Sequence, residues 1–347
     1  MAEEGSGTRC SLVALIRFCT GDDAMVAINT ALTALLGIEH PLVLAPMGGA
    51  SGGRLAAAVS RAGGLGLVGA SYGDAQWMAS ELALMRDVKQ PWGVGLVMFT
   101  VARRFELLQL ALEYGPDVVA LSFGDARPFI RPIQQANAKV IVQVHDVDQA
   151  HAALDAGADA LIVQGAEAGG HSLRRSSMPL FPAVRDALGN DVVLIGAGGI
   201  ADGRGMAAAL ALGMDGVMMG TRFLASQEAL PSERVKQRLL QAVASDTVRT
   251  RIFDQVRGID WPEGYSGRVI GNDFSNAWVG EEQAFAASAD RLRADYEAAL
   301  AADDVSVRAI WAGEVADLIS DVLPARSIID STMAGYASSV ERLRAAR

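Results

Sequence analysis

The sequence predicts an α/β protein, a (β/α)8 barrel with a C-terminal mainly helical subdomain. Three observations carry that expectation. Short apolar runs alternate with amphipathic stretches from residue 41 to residue 224. The runs are almost continuously apolar, as strands buried on both faces are, which implies a parallel sheet with helical crossovers. Eight such units follow one another, the number that closes a barrel. Strand count alone does not establish closure, so an open doubly wound sheet is the competing arrangement.

The expected strands are 41–47, 65–70, 92–98, 118–124, 139–145, 159–165, 192–199 and 216–224. Between them lie helical stretches at 53–63, 74–88, 103–115, 127–138, 146–158, 179–189 and 201–213, whose apolar residues recur at three and four spacing. Gly63, Gly157 and Gly213 stand where helices end, supplying left-handed caps before the next strand. After residue 225 helical text dominates (232–245 and 281–302), around an irregular stretch at 256–278 rich in Gly and aromatics. The expected division is therefore a barrel over 25–230 and a helical cap over 231–347, with a seam between them suited to a substrate pocket. Residues 1–24 are expected to be an extension outside the fold. Their apolar run from Leu12 to Phe18 is broken by Arg17 and is too short to span a bilayer. Glu3 and Glu4 stand where a signal peptide would be basic.

Composition narrows the function. The net charge of −10 lacks the electrostatic footprint of a nucleic-acid binder, and no basic run marks a membrane surface. Cys10 and Cys19 are the two cysteines, and they form neither a disulfide framework nor a CxxC pair, as suits a reducing, cytoplasmic compartment. His40, His145, His151 and His171 show no i,i+3 or i,i+4 spacing, so no metal pair is expected.

Barrel chemistry sits at the carboxyl ends of the strands. There the chain carries Ala45-Pro46-Met47-Gly48-Gly49 closing the first strand and residues 165–171, ending in Gly169-Gly170-His171, after the sixth. Gly198-Gly199 follows the seventh, and Gly220-Thr221 the eighth. Paired glycine turns after strands seven and eight are where a barrel holds a phosphate. Scarcity and position at the barrel mouth make His171 the candidate functional histidine. Residues 196–201 also fit the dinucleotide pattern GxGxxA, but they follow the seventh strand, and Thr221 occupies the place where that motif needs an acid. The barrel phosphate site is the preferred reading. Met218 and Met219 read as core, Arg174 and Arg175 as solvated loop charge, and Asp303-Asp304 as a helix boundary.

APMGGASGGRLAAAVSRAGGLG, QGAEAGGH and GAGGIADG followed by MGTRF resemble the nitronate monooxygenases, FMN-dependent TIM-barrel enzymes formerly called 2-nitropropane dioxygenases. The resemblance covers about residues 28–230 well and the tail loosely. It implies that Ala45, Pro46 and Met47 lie against the isoalloxazine and that His171 is the base or orients the substrate. Gly169 and Gly170 would shape the flavin pocket, while Gly198, Gly199, Gly220 and Thr221 hold the FMN phosphate. Gln143 and Gln164 are further candidates to face the cofactor. The implied reaction oxidises an alkyl nitronate, or a neutral nitroalkane, with O2 to a carbonyl compound and nitrite. Expected partners are thus a small-molecule substrate and O2, with a homo-oligomer one possible state. Two positions depart from the family pattern: Gly95 stands for Asn, and Gln143 for Lys. The shared flavin site keeps open an FMN-dependent NAD(P)H reductase acting on enoyl-ACP or quinone, and the two departures keep open a non-catalytic FMN-binding module.

Overall fold

The computed structural model describes residues 28–70 and 72–346. The expected extension at 1–24, with Cys10 and Cys19, lies outside the described residues. The strands in chain order are β1 (Leu42–Leu44), β2 (Gly66–Gly69), β3 (Trp92–Val97), β4 (Val118–Ser122), β5 (Lys139–Val144) and β6 (Ala160–Gln164). They continue with β7 (Gly170–Ser172), β8 (Leu194–Ala197), β9 (Gly216–Met219), β10 (Thr247–Thr250) and β11 (Ser266–Ile270).

Eight of these form one parallel sheet in the order β1-β9-β8-β6-β5-β4-β3-β2. Its ends meet. Val43 bridges Leu65 in parallel, with Leu44 N–H donating to Leu65 O at 2.9 Å and Leu65 N–H to Leu42 O at 2.9 Å. Closure removes the sheet edges and decides for the barrel over the open sheet. Each barrel strand lies inside its expected run but is shorter. At the carboxyl ends, residues such as Ala45-Pro46-Met47 and Gly198-Gly199 leave the ladder and become loops of the site.

The crossover helices are Gly53–Arg61, Ala75–Ala83, Glu106–Glu113, Arg127–Gln135, Val147–Asp155, Ser177–Leu188 and Gly203–Ala211. Gly63, Gly157 and Gly213 adopt φ of 90°, 104° and 95°, as the cap pattern requires. After β9 the chain leaves the barrel and returns with helix Ala325–Ala345, which packs against both Gly203–Ala211 and Gly53–Arg61 and completes the helical ring. That packing is close enough that a Cβ at Gly203 would lie 2.0 Å from the Tyr336 nitrogen.

The barrel interior is filled at its amino end. Helix Ala31–Leu36, whose capping box is made by Thr30 and Thr33, packs Leu32 and Leu36 against Val43, Leu65, Leu67, Ile141, Ile162 and Ile195. Each such side chain contributes about 1.5–3 kcal/mol by leaving water. At the carboxyl end a three-stranded antiparallel sheet, β10-β11-β7, covers part of the mouth. Periodicity did not reveal these strands. β7 has three residues, and β11 begins inside the stretch whose glycines and aromatics read as irregular.

Candidate active site at the barrel mouth

A cavity of about 350 Å³ opens at the carboxyl ends of the strands, within the range of small-molecule sites. The structure brings every candidate from the sequence to its wall: Ala45, Pro46 and Met47; Gln143 and Gln164; Gly169, Gly170 and His171; Gly198, Gly199, Gly220 and Thr221.

The first loop is held by Ala45 N–H donating to Met219 O at 3.0 Å and Met47 N–H to Ser51 Oγ at 2.6 Å. The Pro46 ring lies directly over β3. A Cβ at Gly95 would stand 2.1 Å from Pro46 Cβ, so with this loop path the glycine at that position is a steric requirement. The opposite edge is an amide network. Ser122 Oγ donates to Gln143 Oε1 at 3.1 Å, Gln143 Nε2 donates to Gln164 Oε1 at 2.6 Å, and buried His145 lies 2.9 Å from the same oxygen through Nε2.

Gly198 and Gly199 take φ of 95° and 73°. Both line the cavity wall, where the absence of a Cβ lets a ligand approach the backbone closely. A Cβ at Gly198 would add a 2.8 Å clash with Gly165 O to its backbone strain. Beyond Gly220, Thr221 Oγ1 accepts from Gly313 N–H at 3.0 Å, tying this corner to the tail segment.

His171 lies in β7, opposite Gly267 of β11. Its ring stacks on Trp261 with centroids 3.5 Å apart and planes at 6°, and Trp311 stands 4.9 Å away. Gly267 makes this possible, because a Cβ there would meet Trp311 Cζ3 at 2.2 Å. Nε2 of His171 lies 2.8 Å from Oδ2 of Asp254, and the two residues are 7% and 1% exposed. Burial pushes the imidazole below the ordinary value; Asp254 opposes this, and Arg257 and Arg249 add to it. The strand is clamped from behind by Arg249, which donates to Ser172 O and Oγ at 2.7 Å and to Ala166 O at 3.2 Å. Burial, with Arg268 and Arg174 nearby, lowers that guanidinium to about 10.

Sequence reasoning missed the other wall. Tyr72, Phe123, Arg257, Trp261 and Trp311 line the cavity beside His171, and Asp254 stands behind it. Arg257 lies 5.1 Å over the Tyr72 ring, and burial raises the Tyr72 hydroxyl to about 12, so it remains a donor at neutral pH. Phe123 takes φ of 63°, an outlier for a bulky residue, and sets its ring edge-on to Trp261 at 4.7 Å. The available signal was the aromatic stretch at 256–278, which supplies Arg257 and Trp261. Asp254, Tyr72 and Phe123 carried none.

A closed parallel barrel with paired glycine turns, an apolar loop and a buried imidazole at one mouth is the arrangement of an oxidoreductase barrel that holds a flavin, and the likenesses to known proteins agree. The family model "Nitronate monooxygenase" matches residues 29–103 and 96–335, and the chain belongs to that family. It is 37% identical over 229 residues to a (3aS,4S,5R,7aS)-5-hydroxy-7a-methyl-1-oxo-octahydro-1H-indene-4-carboxyl-CoA dehydrogenase of Mycobacterium tuberculosis, covering 65% of this chain and 64% of the relative's length. A probable nitronate monooxygenase of Staphylococcus aureus is 31% identical over 277 residues, covering 66% of this chain and 78% of the relative. Among solved structures, FabK of Thermotoga maritima superposes with a TM-score of 0.82 at 32% identity, over 92% of this chain and all 100% of FabK. The nitroalkane oxidase of Streptomyces ansochromogenes gives 0.76 at 28% identity, over 90% of this chain and 100% of that one. Among the described residues, no helix is long and apolar enough to cross a membrane, and no cluster of three or more His, Cys, Asp or Glu side chains could hold a metal ion.

Proposed function

We propose that the protein is a cytoplasmic FMN enzyme that oxidises alkyl nitronates and nitroalkanes with O2 to a carbonyl compound and nitrite. The observation that carries this reading is the buried His171, held by Asp254, on the wall of a cavity whose opposite corner is the Gly198-Gly199 cradle. The residues fit FMN. Gly198, Gly199, Gly220 and Thr221 would hold its phosphate, Ala45, Pro46 and Met47 would flank the ring system, and Gln143 and Gln164 would meet a polar edge. Gly170, where a Cβ would meet nothing within 4 Å, faces open space on the same side, and Gly169 stands next to it. FMN, when bound, supplies the two-electron acceptor and the site of O2 chemistry.

The chain's own residues then divide the work. His171 is neutral at neutral pH because burial disfavours its charged form, so it can take the proton α to the nitro group. Arg257 and Tyr72 offer donors to the oxygens on which negative charge develops. The indoles of Trp261 and Trp311 exclude water around the base.

Two positions and two likenesses favour a second reading. Gly95 and Gln143 remove an amide and a cation found in many family members, while a CoA dehydrogenase and FabK are among the similar proteins. An NAD(P)H-linked reductase would share this cavity. Anaerobic mixing with a nitronate and, separately, with NADH or NADPH distinguishes the two. Rapid flavin bleaching by the nitronate, with nitrite and O2 uptake in air, is expected. Rapid bleaching by the nicotinamide alone would replace the proposal with the reductase. His171→Ala is expected to keep FMN and to lose about 10²–10⁴ of its rate on a neutral nitroalkane. An unchanged rate would remove His171 from the base role.

A further inference from the structure

We infer that Asp254 is the positioning residue of this site, holding His171 as the tautomer that carries its proton on Nε2 and leaves Nδ1 as the base. The inference rests on His171 being the base and adds which nitrogen acts and what makes it act. Oδ2 of Asp254 lies 2.8 Å from Nε2, and a carboxylate oxygen there only accepts, so the ring proton sits on Nε2. The other nitrogen is then the one left with a lone pair for substrate.

Asp254 is suited to this task by its placement. It belongs to helix Ile252–Val256, directly after β10, so the sheet that carries His171 also carries its partner. It is 1% exposed, and its Oδ1 has no hydrogen-bond partner. A buried carboxyl with one oxygen unpaired destabilises the fold, so its position calls for a reason beyond packing. The stacked Trp261 and the tilted Trp311 stop the ring from turning away. The charged groups facing His171 are Asp254, Arg257 and Arg249, and of these Asp254 alone favours the imidazolium. In turnover the substrate C–H bond breaks, its electron pair stays with the carbon acid, and the proton passes to Nδ1. Asp254 stabilises the resulting cation without taking a proton itself.

Asp254→Asn tests this, because the carboxamide can donate to Nε2 and so favour the wrong tautomer. Expected for the FMN-loaded variant are a normal flavin spectrum and a loss of about 10²–10⁴ in kcat/KM on a neutral nitroalkane. A preformed nitronate, which needs no proton abstraction, should lose less than about tenfold. The acid limb of the surviving activity should move down by about one pH unit, since the group that raised the imidazole is gone. Equal losses on both substrates, or none on the nitroalkane, would overturn the inference. A second measurement needs neither the variant nor activity. A long-range ¹H–¹⁵N spectrum of histidine-labelled wild-type protein should show His171 protonated at Nε2 and bare at Nδ1. The opposite tautomer would overturn the inference even if nitroalkanes are substrates. The expected tautomer without nitroalkane turnover would uphold Asp254 and sink the proposed reaction instead.

Discussion

The two ends of the barrel contain the same kind of buried histidine in opposite settings. At the amino end, His40 precedes β1, is 1% exposed, and has no hydrogen-bond partner on either ring nitrogen. Burial lowers it. At the carboxyl end burial lowers His171 as well, but that ring has a carboxyl partner, two indoles and a cavity. Burial alone therefore makes an imidazole neutral. Under the proposed function it acts as a base where a partner orients it and a cavity gives it something to act on. The same contrast runs through the walls. The amino end is plugged by aliphatic side chains that fill the interior, whereas the carboxyl end uses glycines and a proline to bring backbone close and leave room.

The comparison can be broken from either side. The largest effect is expected at the carboxyl end. Gly198→Val combines backbone strain at φ of 95° with a clash against Gly165 O. It should lower FMN retention by about tenfold or more, read from the flavin absorbance after desalting, while far-ultraviolet circular dichroism stays the same. Full retention would remove Gly198 from the cofactor cradle. At the amino end Leu65→Ala should do the reverse. Leu65 is fully buried, and its truncation should cost about 2–5 kcal/mol in denaturant unfolding with little change in flavin affinity. An equal loss of flavin would show that the plug and the mouth are not separable.

The smallest effect is in pH dependence. His40, His145 and His171 are all lowered from 6.5, burial being the first cause in each. The unfolded chain then takes up protons near that value which the folded chain refuses. Stability is complete above about 6.5 and falls as pH drops from there towards the folded values. The melting temperature should decline between pH 7.5 and 5.5, and His40→Gln should make the decline shallower. An unaltered slope in that variant would mean that His40, with the Glu39 carboxylate 3.8 Å from its Nε2, takes up its proton without cost.

Much of this architecture was legible as text. The eight apolar runs are strands because residues buried on both faces must be apolar throughout, and the glycines at 63, 157 and 213 cap helices because few other residues tolerate a positive φ. The glycine turn at Gly198-Gly199 on the cavity wall was legible for the same reason. His171 was legible through scarcity and position. The small sheet and the second wall were not. Asp254 and His171 are 83 residues apart, and no local spacing connects an acid in one strand-turn-helix to an imidazole in another. Phe123 gives no hint of its strained backbone, because Phe is ordinary strand text.

The sequence by itself determined the barrel units, the polarity that places chemistry at the carboxyl ends of the strands, and the family. These depend on local periodicity and on residue types whose backbone preferences are intrinsic. Only the tertiary structure decided that the sheet closes through Val43 and Leu65, that Gly95 is required beneath Pro46, and that the last helix belongs to the ring. Each of these depends on where two distant segments meet, and a meeting of that kind is set by the packing of the whole chain.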